Sequence, residues 1–378
     1  MKVMIVVTHL LGSGHLRRAL VLADAFATAG NRVVLVSGGM PLDIAVPTGV
    51  RILQLPPLRS DGVNFSRLLT ETGEPADETL MTARAALLCN TVGDFKPDVL
   101  MTELFPFGRR VLSAEFLALL QTADTLQARP VILSSVRDIL APPSKPSKAE
   151  RTAHVIADHY DAVLVHSDPG ITPLEQSWPV GDAIRARLQY TGYVTQPAPQ
   201  PHPDGVGTGE ILVSAGGGEV GTSIFETALA AARQMPGMRW RLLVAGPAER
   251  VASLRRQAIG GHVIVEPLRP DFRNLLANAT ASVSMCGYNT AMDVLQTGIP
   301  AVFIPFDAGN EVEQALRANS LSGLPGIATV RERDLTAETL CAAICEVTGA
   351  PHRAQGGLEF DGAARSVAIA TEMLEARG

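Results

Sequence analysis

Ser282–Pro305 reads SVSMCGYNTAMDVLQTGIPAVFIP. Ser282–Met285 is a short apolar-rich run, and Gly287 then turns the chain. Asn289 and Thr290 are good helix N-caps, so a short helix is expected over Ala291–Gln296, stopped by Gly298 and Pro300. Ala301–Ile304, closed by Pro305, is expected as a buried strand. Strand, glycine turn, helix and strand make one parallel crossover. Such a unit aims backbone N–H groups at the carboxyl edge of a parallel sheet, where anions bind. Asp293, one turn into the helix, would reach back to a hydroxyl pair beside that anion. An ordinary crossover with a surface aspartate fits the same pattern.

Other stretches repeat the arrangement. Glu210–Ser214 is an expected strand, followed by the glycine loop Ala215–Gly221 and a helix over Ser223–Arg233. Amides of Gly216, Gly217 and Gly218, with no Cβ to block approach, would cradle a diphosphate. The glycine spacing also satisfies a dinucleotide fingerprint, but that fingerprint expects an acid at the end of the next strand. Arg241–Val244 instead ends in Ala245-Gly246-Pro247, which disfavours a nicotinamide enzyme. Phe306–Gln314 brings carboxylate and amide side chains onto a helix start. Glu313 and Gln314 suit sugar hydroxyls, and equally suit a polar helix start.

The N-terminal half reads the same way. Val3–Val7 is an apolar strand, and Leu16, Ala19, Leu20, Ala23 and Phe26 recur at helical spacing. The turn Gly12-Ser13-Gly14 sets His15 at a helix N-terminus, which favours the neutral imidazole that a base requires. His9 is the second candidate, and a surface histidine is the plain alternative. Three further strands end in polar clusters: Glu103 with Arg109 and Arg110, Arg137 with Asp138, and His166-Ser167-Asp168. Apolar strands with polar carboxyl ends describe an α/β doubly wound sheet. From Pro41 to Pro75 the pattern dissolves, and a long exposed loop is expected, a candidate for acceptor binding.

The chain has 378 residues, 46% hydrophobic and 19% charged, which fits two globular domains. Its net charge of −6 argues against a general nucleic-acid binder. Cys89, Cys286, Cys341 and Cys345 show neither metal spacing nor a disulfide framework, and there is no Asp-x-Asp pair, so no metal is required. No signal-peptide core or membrane-length run is present, which fits the cytoplasm and leaves room for peripheral contact at the inner face of the membrane. Pro-rich Thr195–Gly209 reads as an interdomain linker.

Cys286-Gly287-Tyr288-Asn289-Thr290 with Asp293, Gly298 and Pro300 resembles the nucleotide-sugar signature of glycosyltransferase family 28. FPFGRR (105–110), VRDIL (136–140), HSDP (166–169) and LQYTGYV (188–194) resemble a MurG-related group of predicted bacterial glycosyltransferases. The resemblance spans the chain. It implies the GT-B fold: two Rossmann-like doubly wound parallel-sheet domains facing across a cleft. Residues 1–195 would bind the acceptor, 196–208 would link, 209–361 would bind the nucleotide sugar, and a final helix over 362–378 would pack back on the first domain. The implied donor site is Gly216, Gly217, Gly218, Leu268 (capping the base through backbone groups), Gly287, Tyr288, Asn289, Thr290, Asp293, Glu313 and Gln314. Asp293 stands where an acid, usually Glu, holds the ribose. Gly14, Arg109, Arg137 and Asp138 are the expected acceptor side, with His15 or Glu103 as catalytic base.

The activity implied is inverting, metal-independent transfer from a UDP-sugar, UDP-N-acetylglucosamine by resemblance, to a small-molecule or lipid-linked acceptor, with no cofactor. A nucleotide-sugar hydrolase or 2-epimerase, and a non-catalytic UDP-sugar binder, share the same plan.

Overall fold

The computed structural model describes residues 1–60, 67–216, 220–306, 311–351, 353 and 358–377. Two compact units divide it: Met1–Gln196 with Glu359–Gly378, and Pro197–Leu358.

The first unit runs β1 (Lys2–Val7), α1 (Gly14–Thr28), β2 (Arg32–Gly39), β3 (Val50–Ser60), β4 (Leu68–Leu69), α2 (Glu78–Phe95), β5 (Val99–Glu103), α3 (Ser113–Asp124), β6 (Val131–Arg137), α4 (Pro146–His159), β7 (Ala162–His166), α5 (Asp182–Arg185) and β8 (Leu188–Tyr190). These strands form one sheet in the order β4-β3-β2-β1-β5-β6-β7-β8, parallel except for β3–β4. Val3–Val7 are fully buried because helices cover both faces of a parallel sheet. The order reverses between β1 and β5, and their carboxyl ends make the crevice where such sheets bind ligands.

The expected loop from Pro41 to Pro75 is corrected here, because it contains the 11-residue strand β3. Its Arg51, Gln54 and Arg59 and its two prolines hide the pattern. Pro56 and Pro57 fall where the register with β2 slips, between Gln54 and Leu58. At such an irregularity a missing N–H costs no ladder bond.

The C-terminal helix, Gly362–Glu375, packs on α1 and β6, with Ile369 and Ala370 in the core beside Ala19 and Ala23. It enters through a tight crossing. Tyr193 N donates to Glu359 O at 2.8 Å, and Gly362 N to Tyr193 O at 3.1 Å. A Cβ at Gly362 would stand 2.5 Å from Gly192 O, so only glycine permits this approach.

The second unit runs β9 (Glu210–Ser214), α6 (Thr222–Gln234), β10 (Arg239–Val244), α7 (Ala248–Gln257), β11 (Val263–Pro267), α8 (Phe272–Asn278), β12 (Ala281–Ser284), α9 (Tyr288–Thr297), β13 (Ala301–Phe303), α10 (Glu313–Leu321), β14 (Ile327–Thr329) and α11 (Ala337–Gly349). Its sheet is wholly parallel, ordered β11-β10-β9-β12-β13-β14, and reverses between β9 and β12. The Pro-rich segment after Gln196 is tied to α8 by its carbonyls. Arg273 binds Pro197 O at 2.9 Å, Asn274 binds Gln200 O at 2.7 Å, and Asn278 binds Val206 O at 3.0 Å.

Among the described residues, no helix is long and apolar enough to cross a membrane.

Candidate active site

The crevice of the first sheet gathers a set of buried polar groups. His15 lies in the first turn of α1, after β1, and Glu103 is the last residue of β5. His15 Nδ1 is 2.9 Å from Glu103 Oε1. Arg18 Nη2, which can only donate, is also 3.2 Å from Nδ1. The carboxylate contact is the shorter, and a carboxylate has no proton to give, so Nδ1–H donates to Glu103 and the Nε2 lone pair is left as the basic site. Arg18, one turn along α1, also donates to Glu103 Oε1, and Ser135 Oγ donates to Oε2 at 2.6 Å.

Burial alone would raise the pKa of Glu103. Arg18, His15 and Ser135 outweigh it and hold the carboxyl below its usual range. A carboxylate 2% exposed with three donors is a poor proton acceptor and a good anchor for His15. Burial lowers His15 to about 3, against the Glu103 hydrogen bond, with Arg109 and Arg18 adding to the fall. The imidazole is therefore neutral at physiological pH.

The loop after β5 closes this side. Leu104 and Arg109 sit at φ 69° and 58°, positions that L-residues hold only when the surroundings fix them. Arg109 Nε donates to Thr8 O at 2.5 Å, tying the loop to the end of β1. His9, 4% exposed, meets Met40 O through Nε2 at 3.0 Å, and burial lowers its pKa. Gly14 opens α1. Arg137 ends β6, and Asp138 beside it is wholly buried.

In the second unit the ends of β9 and β12 lie side by side, with Ser214 opposite Ser284. Gly216 follows β9 at φ 73°, while Gly217 and Gly218 lie outside the described residues. Gly221, at φ 78°, ends the loop, and a Cβ there would come 2.9 Å from Met285 Cε in the neighbouring turn. Both loops therefore open on one edge of the sheet.

Helix α9 begins earlier than the sequence suggests. Gly287 is its N-cap, and Asn289 and Thr290 are in its first turn rather than capping it. Their N–H groups have no acceptor inside the helix, which suits an anion. Arg317, 1% exposed, braces this turn. It donates to Cys286 O at 3.0 Å and stacks 5.7 Å over the Tyr288 ring.

Asp293 is bound by Arg273 Nε at 2.7 Å. Leu268 is 41% exposed, but its N–H already donates to Val244 O at 3.1 Å. Glu311 Oε1 accepts from Glu313 N at 2.7 Å and starts α10. Gln314 Oε1 accepts from Phe306 N at 3.2 Å, leaving its NH2 to donate elsewhere.

The structure thus joins His15 and Glu103, which sequence reading named separately. Reading along the chain missed Arg18, Ser135, Arg273 and Arg317. Arg18 had a signal, since it lies three residues from His15 on the same helical face. The others are single polar residues whose partners are far along the chain.

Residues 247–358 match the family described as the glycosyltransferase family 28 C-terminal domain. The "UDP-N-acetylglucosamine--N-acetylmuramyl-(pentapeptide) pyrophosphoryl-undecaprenol N-acetylglucosamine transferase" of Methylobacterium nodulans is 29% identical over 213 residues, 51% of this chain and 57% of that protein. The protein of the same name from Phenylobacterium zucineum is 24% identical over 371 residues, 94% of this chain and 92% of its own length. Among solved structures, MurG of Acinetobacter baumannii superposes with a TM-score of 0.63 at 14% identity, over 98% of this chain and 99% of that one. At that identity the likeness speaks for the fold, while the sequence matches carry the kinship. With two doubly wound parallel sheets, a match to the family 28 C-terminal domain over residues 247–358 and a relative along nearly its whole length, the chain has the GT-B fold and is similar to the MurG-type glycosyltransferases.

Proposed function

We propose that the chain moves a sugar, with inversion, from a UDP-sugar to a hydroxyl or amine of a small-molecule or lipid-linked acceptor. UDP-N-acetylglucosamine is the favoured donor, because the relatives that match along most of the chain are named for it. The carrying observation is the His15–Glu103 contact at the reversal of the first sheet.

In this reading His15 Nε2 accepts the acceptor proton as the acceptor oxygen or nitrogen bonds to the anomeric carbon. The bond from that carbon to the diphosphate oxygen breaks, and UDP leaves with the electron pair. First-turn amides of α9 and the glycine loop after β9 stabilise its charge. Glu103 holds the imidazole, and Asp293 takes the ribose hydroxyls. Gly14, Arg109 and Arg137 line the acceptor side, and the work is done in the cytoplasm, at the inner face of the membrane for a lipid-linked acceptor.

The test is UDP release from a panel of nucleotide sugars, with and without membrane-lipid extract as acceptor source. Transfer should require His15, and His15→Ala should lower kcat by about a hundredfold or more while leaving UDP binding intact. Equal turnover without any acceptor would favour the hydrolase. An unaffected His15→Ala enzyme would remove the base.

A further inference from the structure

The His15–Glu103 pair is one end of a longer hydrogen-bonded row. Ser135 Oγ, 2.6 Å from Glu103 Oε2, is also 2.9 Å from His166 Nε2. His166 Nδ1 is 2.8 Å from Thr191 Oγ1. Glu103, Ser135 and His166 sit at or near the carboxyl ends of β5, β6 and β7, and Thr191 directly follows β8. The row therefore crosses four adjacent strands in spatial order. Ser135 and His166 are fully buried, and Thr191 is 1% exposed.

Proton counting gives the row a direction. Ser135 has one proton, and the carboxylate is its strongest acceptor. The Ser135 oxygen then accepts His166 Nε2–H, and His166 Nδ1 accepts from the Thr191 hydroxyl. Were Thr191 to donate instead to Gly192 O, 2.8 Å away, His166 Nε2 and Glu103 would compete for the one Ser135 proton. The far end is fixed, because Thr191 precedes the crossing at which Tyr193 bonds Glu359 and Gly362.

We propose that Ser135 and His166 are positioning residues for the transfer reaction: through Glu103 they hold His15 as its Nδ1–H tautomer, with Nε2 aimed at the acceptor. This rests on His15 being the base, yet its physical content is readable without substrate. A carboxylate fixed on one oxygen only by Arg18 and His15 can rotate. Ser135 pins the second oxygen, and His166 pins Ser135. Burial, with Arg18 adding and Glu103 opposing, lowers His166 to about 3, so the row carries no second imidazolium to repel the first.

The test is 15N-resolved NMR of the histidine rings in the ligand-free protein, with His15 assigned by His15→Gln. Wild type should show a single Nδ1–H tautomer at His15, and Ser135→Ala a mixture. His166→Gln places an amide N–H near the Nε2 position and should keep the wild-type tautomer. His166→Asn is too short to do so and should resemble Ser135→Ala. In turnover, Ser135→Ala should lower kcat by about tenfold to a hundredfold with donor KM unchanged.

The acid limb of its pH profile should move to higher pH, since an unpinned carboxylate makes the pair more basic. The charged groups around the pair are Arg18 on α1 and Arg109 after β5, and the neutral, titratable His166 lies on β7; this substitution leaves all three in place. An unmoved His15 tautomer in Ser135→Ala overturns the proposal. Failure to find any donor would count instead against the proposed function, because the ring signals do not depend on it.

Discussion

Arg273 on α8 grips Asp293 on α9 through Nε at 2.7 Å, and the same guanidinium reaches Gln296 Oε1 at 3.0 Å and Pro197 O at 2.9 Å. The acid expected to hold the donor ribose is therefore held by a cation, with 14% of its side chain exposed. Burial raises the pKa of Asp293, and Arg273 opposes that rise by charge and hydrogen bond. A carboxylate must be ionised to accept from two ribose hydroxyls, so the arginine serves the proposed ligand site as well as the fold.

UDP should raise the melting temperature, and Asp293→Ala should abolish the shift. Arg273→Ala should shrink it and make it pH-dependent. Without its counter-charge Asp293 protonates at higher pH, so the shift should fade on acidification sooner than it does in the wild type. Fluorimetric melting with and without UDP at a series of pH values checks both. A full shift in Asp293→Ala would remove Asp293 from the site.

Gly221 is constrained twice. Its φ of 78° disfavours any side chain, and an added Cβ would stand 2.6 Å from Ala215 Cβ and 2.9 Å from Met285 Cε. Gly221→Ala should cost about 1–3 kcal/mol in urea unfolding of the second unit and weaken UDP binding. Wild-type stability and affinity together would show that the loop between β9 and α6 relaxes freely.

What the sequence revealed follows how each signal is carried. Val3–Val7 and residues 211–213 of β9 are buried on both faces, so they appear as unbroken apolar runs. β3 lies beside the short edge strand β4, has its apolar residues interrupted by Arg51, Gln54 and Arg59 and contains two prolines, so it reads as loop. Local periodicity located the strand ends where His15 and Glu103 sit. It could not pair them across 88 residues, because that contact depends on the strand order. The start of α9 was misplaced by a local rule: Asn289 and Thr290 are favoured caps, but the turn at Gly287 begins the helix first.

Acid should destabilise the first unit through the same buried row. His15 and His166 have folded pKa values lowered to about 3 from an unfolded 6.5. The unfolded chain binds protons first, so their contribution is complete above about pH 6.5 and is lost as pH falls towards 3. Glu103, also lowered, loses its contribution below its unfolded value, in the same direction. The melting temperature should fall steadily across this window. His166→Gln, which has no proton to gain, should show a shallower fall, whereas an identical slope would mean that His166 is not held neutral.

The buried pair Arg84–Glu115 should dominate the docking of α2 on α3. Arg84 Nε and Nη2 each reach a Glu115 oxygen at 2.9 Å, with side-chain exposures of 0% and 1%. Nη1 also donates to Gly38 O at 3.1 Å and to Pro56 O, so the arginine ties the helices to β2 and β3. Glu115→Leu leaves that guanidinium buried without its counter-ion and should cost about 3–5 kcal/mol in the unfolding of the first unit. Adding Arg84→Met removes the stranded charge, so the double variant should recover part of the loss even though two carbonyls lose a donor. Urea titration of the single and double variants separates the two effects. A double variant no more stable than Glu115→Leu would mean that the carbonyl contacts, rather than the ion pair, carry the arginine's role.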